Sequence, residues 1–110
     1  MGKILVALLL TMGLSACVAE SSENALKAAN RGDYATALRI WSSLAEQGYA
    51  DAQYSLGNMY YFAQGVPKDD KEAVNWYRLA AGLGNSGAQY RLGNIFYFGQ
   101  GAPLDYKEAV

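Results

Sequence analysis

The sequence predicts an all-α fold built from repeated pairs of helices, and three observations predict it. Displacing the chain by 36 residues lays 52–74 on 88–110 with 16 of 23 positions identical. Self-similarity at one fixed period is the mark of a repeat architecture. Within each unit, small and aromatic residues recur at helical spacing. After Cys17 only seven residues are Val, Ile or Thr, so strands are poorly supplied.

The chain opens with a segment apart from the repeats. Residues 1–16 (MGKILVALLLTMGLSA) join one basic residue, Lys3, to an apolar stretch from Ile4 to Leu14 and a small-residue end. That order is the layout of a secretory signal peptide. The apolar stretch falls well short of the ~20 residues that span a bilayer. Leu14-Ser15-Ala16-Cys17 resembles the bacterial lipobox, and Cys17 is the sole cysteine. The resemblance implies removal of 1–16, lipidation of Cys17, and a tether over 17–22. Three acyl chains exceed the two-signal threshold for stable anchoring. Val18, where an Asp would favour the inner membrane, implies an outer-membrane lipoprotein facing the periplasm. The competing reading is ordinary secretion, with cleavage after Ala19.

Three repeat units follow: a divergent first over 23–49, a complete second over 50–85 and an incomplete third over 86–110. The 36-residue shift places Asp33, Ala37, Ala45 and Gly48 on Asp69, Ala73, Ala81 and Gly84, with Trp41 opposite Tyr77. Ala73, Trp76, Tyr77, Ala80 and Ala81 trace one face of a helix. Asp69 with Glu72, and Asp105 with Glu108, read as an N-cap followed by a carboxylate three residues on. Gly48 and Gly84 stand where such helices end. The preceding helix carries Ala52, Leu56, Met59, Tyr60 and Ala63 as its apolar stripe. Gln64 to Lys68 and their copies Gln100 to Leu104 join the two helices, and both prolines lie in this loop, clear of the helices they would break. Gly57 and Gly93 sit mid-helix, where each costs about 1 kcal/mol against alanine. That recurrence predicts close backbone approach, with Trp76, Tyr77, Tyr60 and Phe96 filling the space between repeats.

These residues resemble the Sel-one-like (Sel1) repeat family, relatives of the tetratricopeptide repeat with a longer internal loop. The match runs through Ala52, Tyr54, Leu56, Gly57, Tyr60, Gly65, Val66, Asp69, Ala73, Trp76, Tyr77, Ala80, Ala81 and Gly84. Ala63 departs from the first loop glycine, which Gly99 keeps, and Asn30 to Tyr34 looks like a plain tetratricopeptide turn. The resemblance covers residues 22–110. It implies a right-handed α/α superhelix used for protein interaction, without catalysis or cofactor.

Composition narrows function from the other side. A chain of 110 residues holds one small domain, and its formal charge of −1 lacks the basic footprint of a nucleic-acid binder. With no histidine and one cysteine, Ser-His-Asp and Cys-His catalysis and a His/Cys zinc site are excluded within the chain. Gly82 to Gly87 spell G-x-G-x-x-G, but that fingerprint works between a strand and a helix, and here a helix precedes it. Asp69, Asp70 and Glu72 read as a solvated helix start rather than a cation site.

The candidate partner-binding residues are Tyr54, Asn58 and Tyr61, repeated as Tyr90, Asn94 and Tyr97. At offsets 0, 4 and 7 they face away from the Leu56 stripe and form an aromatic and amide ladder suited to a peptide or glycan. The competing reading is packing against the neighbouring repeat. The expected function is a lipid-anchored protein-interaction scaffold of the cell envelope. An adaptor for envelope assembly or polysaccharide export is the alternative. The third reading is a secreted hydrolase, since cysteine-rich relatives are linked to β-lactams, but this chain lacks their cysteine pairs. The third unit breaks off mid-helix, before a copy of residues 76–81, as a shortened version of a longer array would; the alternative is that another protein or a second copy completes the edge. Either reading predicts an uncovered Ile95 and Phe96 side, and association of the isolated chain through 88–110.

Overall fold

The computed structural model describes residues 22–98, all of whose regular structure is helical: α1 over 22–30, α2 Tyr34–Glu46, α3 Ala50–Tyr61, α4 Asp70–Gly82 and α5 Ser86–Tyr97. Lipidation at Cys17, the tether, the second copy of the loop, and the Asp105 and Glu108 cap lie outside the described residues.

Local chemistry sets the boundaries. Asp33 caps α2 by accepting from the Thr36 amide at 3.2 Å. Hydrogen bonding with Thr36 is the main influence that holds its carboxyl below the ordinary aspartate value. Asp69 caps α4 in the same way from the Glu72 amide at 3.0 Å, and Asn85 caps α5 from the Ala88 amide at 2.8 Å. The capping box expected of Glu72 is only half made. Its carboxylate accepts from Trp76 Nε1 at 3.1 Å, one turn on, while the Asp69 amide donates to the Tyr60 carbonyl. Gly48 and Gly84 follow α2 and α4 with φ of 95° and 93°, a left-handed turn that spares the chain the steric cost of a side chain.

Successive helices pack on their neighbours, α2 on α3, α3 on α4, α4 on α5, and two clusters form the core. The first joins Ala25 and Ala28 of α1 with Trp41, Leu44, Leu56 and Met59. The second gathers Tyr77 and Ala80 of α4 with Leu92, Ile95 and Phe96 of α5, and Tyr60 touches both clusters. Ile95 and Phe96, expected to lie uncovered, are therefore buried. The apolar stripe of α5 turns back onto α4 of the preceding repeat, where the Arg78 guanidinium lies 5.5 Å from the Phe96 ring.

Ala63 departs from its expected place on the α3 stripe. The helix ends at Tyr61, and Ala63 is an exposed turn residue with φ of +54°. A Cβ in that region is sterically costly, which is why glycine suits the position. Ala63→Gly is expected to raise stability by about 1 kcal/mol, with strain relief exceeding the gain in unfolded-state entropy. A denaturant midpoint that rises at unchanged slope checks it.

Candidate functional site

The packing of the two helices of the second unit is organised by one side chain. Ala73, Tyr77 and Ala80 lie on one face of α4, and that face presents Tyr77 to α3, where it is fully buried. Its hydroxyl donates to Asn58 Oδ1 at 2.5 Å. The rings of Tyr54 and Tyr61 stand 6.0 and 6.4 Å from its own. Burial pushes the phenol far above its ordinary pKa, against the lowering influence of the Arg91 charge, so it stays protonated and donates. Gly57 makes the approach physically accessible, because a Cβ there would stand 2.7 Å from the Tyr77 ring.

Polar ties repeat with the same period. Gln53 Nε2 donates to the Ala45 carbonyl and Gln89 Nε2 to the Ala81 carbonyl, each at 3.2 Å. Asn85 Nδ2 reaches Asp51 Oδ1 at 3.0 Å, fastening the start of α5 to the start of α3. The loop after α3 is held by Lys68, which donates to the Tyr61 carbonyl at 2.7 Å, pairs with Asp70 at 2.8 Å and lies 4.3 Å over the Tyr61 ring.

The candidate binding surface is a groove of about 540 Å³ where α1, α2 and α3 meet. Leu26, Ala29 and Asn30 of α1 form one wall and Tyr54, Ser55 and Asn58 of α3 the other. Tyr34 and Trp41 of α2 and Gln64 of the loop complete it. A neighbouring concavity of about 390 Å³ shares Leu26, Trp41 and Ser55 and adds Asp51 and Glu23. The main groove thus offers apolar surface, aromatic rings and amides, with no charged side chain among the described residues that line it.

The six candidate binding residues separate in space. Tyr54 and Asn58 line the groove while also holding Tyr77. Tyr61 packs edge-on against Phe62 at 4.9 Å and takes Lys68 over its ring, and it is not among the lining residues. Tyr90, Asn94 and Tyr97 lie on α5, also outside the groove, with Tyr90 and Tyr97 exposed. Sequence reasoning did not single out Leu26, Asn30, Tyr34, Ser55 and Gln64 for this surface: Asn30, Tyr34 and Gln64 read as turn and loop residues, and Leu26 and Ser55 fall in no motif.

A row of paired helices, stacked through buried aromatics and presenting a neutral concave surface, defines a helical-repeat scaffold. The chain belongs to the Sel1 repeat family, whose model matches residues 50–85 and 86–110, more than half of its length. It is similar to a crystal structure of c5321, described as a protective antigen of uropathogenic Escherichia coli displaying an SLR fold. The identity is 31% and the TM-score 0.78, over 86% of this chain and 21% of the other. A Sel1 repeat protein from Oxalobacter formigenes aligns with TM-score 0.64 and 29% identity, over 68% of this chain and 22% of the other. A curated relative, uncharacterized protein NMB1327 of Neisseria meningitidis serogroup B, is 50% identical over 34 residues, 31% of this chain. This chain covers only 7% of that relative's length. Sel1 repeats mediate protein–protein interaction, and proteins built from them are typically non-catalytic scaffolds.

Proposed function

We propose that the chain is a lipid-anchored scaffold of the bacterial cell envelope, held at Cys17 and facing the periplasm, that grips a peptide segment of a partner protein in the groove between α1 and α3. The observation that carries the binding reading is the groove's lining. Leu26, Trp41 and Tyr54 provide apolar contact area, while Asn30, Ser55 and Gln64 provide hydrogen-bonding groups for a peptide backbone. The anchoring rests on the sequence alone, on the lipobox resemblance at Cys17.

Two measurements test the two halves separately. Mass spectrometry of the membrane fraction should find an acylated N-terminal Cys17, and Cys17→Ser should release the protein or leave it unprocessed. A mature chain beginning at Glu20 would overturn the anchor. Photo-crosslinking residues placed at 26 and 55 should capture a partner in intact envelopes, whereas one at Lys71, exposed on α4, should not. Equal capture from all three sites would show that the groove is not the contact surface.

A further inference from the structure

The groove and the buried tyrosine meet at one carboxamide. Asn58 lines the groove, yet its Oδ1 accepts from the Tyr77 hydroxyl at 2.5 Å. Tyr77 comes from α4, which contributes no described residue to the groove lining. A phenol donates only while protonated, and burial keeps this one protonated across the ordinary pH range. A carboxamide has one accepting end and one donating end. The bond to Tyr77 commits the accepting end of Asn58 to α4 and leaves the donating end, Nδ2, for the groove. Asn58 is only half-buried, and among the described residues no acceptor is bound to its Nδ2. Asn30 and Gln64, the other carboxamides of the lining, have no described side-chain bond that fixes their orientation.

We propose that Tyr77 is a positioning residue of the groove, holding the Asn58 carboxamide with Nδ2 outward so that the site reads a main-chain carbonyl of an extended peptide. The proposal rests on the peptide-binding reading of the groove given above. A donor fixed in place selects an acceptor, and every peptide residue carries one in its carbonyl. In a helical segment those carbonyls are already taken by its own amides, except in the last turn. An extended segment presents them along its length, which makes it the occupant that a single fixed donor suits. Turned the other way, the same carboxamide would set Oδ1 against a carbonyl oxygen with no proton between them. A side chain held before the ligand arrives also loses less freedom on binding. One hydroxyl therefore does two things: it satisfies the core of the second unit, and it sets the hydrogen-bonding polarity of the groove.

The probe is a set of dodecapeptides selected from a random displayed library on the full chain in detergent, kept where photo-crosslinking residues at 26 or 55 capture them. Affinity is read by fluorescence anisotropy. Asn58→Asp keeps an acceptor for the Tyr77 hydroxyl and puts an oxygen where the donor was. It should leave the melting temperature close to that of the unaltered chain and weaken peptide binding by about tenfold or more. Tyr77→Phe releases the carboxamide to turn and should weaken binding about threefold, and it should add nothing once Asn58→Asp is present. Ile95→Val is the control, because it trims the core cluster that contains Tyr77 and lies outside the groove. It should lower stability and leave affinity unchanged. Should Asn58→Asp fail to fold, the NMR signals of the Asn58 side-chain amide in the unaltered chain decide. Added peptide should shift its Nδ2 protons downfield, and by less in Tyr77→Phe. An equal loss of affinity from Tyr77→Phe and Ile95→Val would make the role of Tyr77 purely structural and overturn the proposal. Crosslinked peptides that bind Asn58→Asp undiminished, or that leave the Nδ2 protons unmoved, would overturn it while the groove remains the binding surface. A library that yields no peptide captured at 26 or 55 would remove the groove reading and this proposal together.

Discussion

Tyr77→Ala is expected to cost about 3–5 kcal/mol, the usual range for deleting a buried ring whose site cannot collapse. Tyr77 is fully buried, and its neighbours come from both flanking helices, Tyr54 and Tyr61 of α3 and the Phe96 cluster of α5. Losing it removes the centre of the packing that holds α3, α4 and α5 together. Tyr77→Phe isolates the hydroxyl. It leaves Asn58 Oδ1 without its donor and should cost about 1–2 kcal/mol. Asn58→Ala should cost a similar amount, contrary to the near-neutral effect expected of a residue used only for binding. The double variant should cost clearly less than the sum, since both single changes break one bond. Chemical denaturation of the four proteins checks this. Additive losses would show that the 2.5 Å bond carries no coupling energy.

Gly57→Ala should destabilise the chain, and Gly93→Ala should stabilise it, although the two positions are copies. Helix propensity favours alanine at both by about 1 kcal/mol. At Gly57 the added methyl would stand 2.7 Å from the Tyr77 ring and 3.3 Å from the Ala73 carbonyl oxygen. Neither neighbour can yield cheaply, because Tyr77 is enclosed and the carbonyl belongs to the α4 backbone. Overpacking of this kind costs about 1–3 kcal/mol and outweighs the propensity gain. At Gly93 no described atom beyond its own helix stands within 4 Å of the added methyl, and only the gain remains. Thermal unfolding of the two variants gives the signs directly, and equal signs would contradict the difference in surroundings between the two glycines.

Much of the fold was legible because a repeat states its period twice. Asp33, Asp69, Gly48 and Gly84 mark helix ends by local chemistry that needs no tertiary partner. The stripes of α3 and α4 announce themselves through spacing alone, and the match to Sel1 repeats runs through those same residues. Gly57 was legible as a point of close approach, since a recurrent cost in a helix demands a reason.

The site was less legible, because a helix has more than one face and periodicity does not say what each will meet. Tyr54, Asn58 and Tyr61 share a face that reads equally well as a ligand ladder or as a packing surface. Only α4, which delivers Tyr77 to Asn58 from 19 residues on, decides their roles. Gly93 repeats Gly57 in sequence but not in environment, and Ile95 and Phe96 are buried on a side that sequence reasoning left uncovered. The groove depends on Leu26, Asn30 and Ser55 converging from helices whose crossing no local pattern encodes. The sequence by itself determined the helices, their ends and their repetition, because capping, propensity and amphipathic spacing act within a few residues. Which faces are buried, that the Asn58 amide is paired and which glycine meets a ring were decided by tertiary structure, since burial and hydrogen bonding at those sites depend on residues distant in the chain.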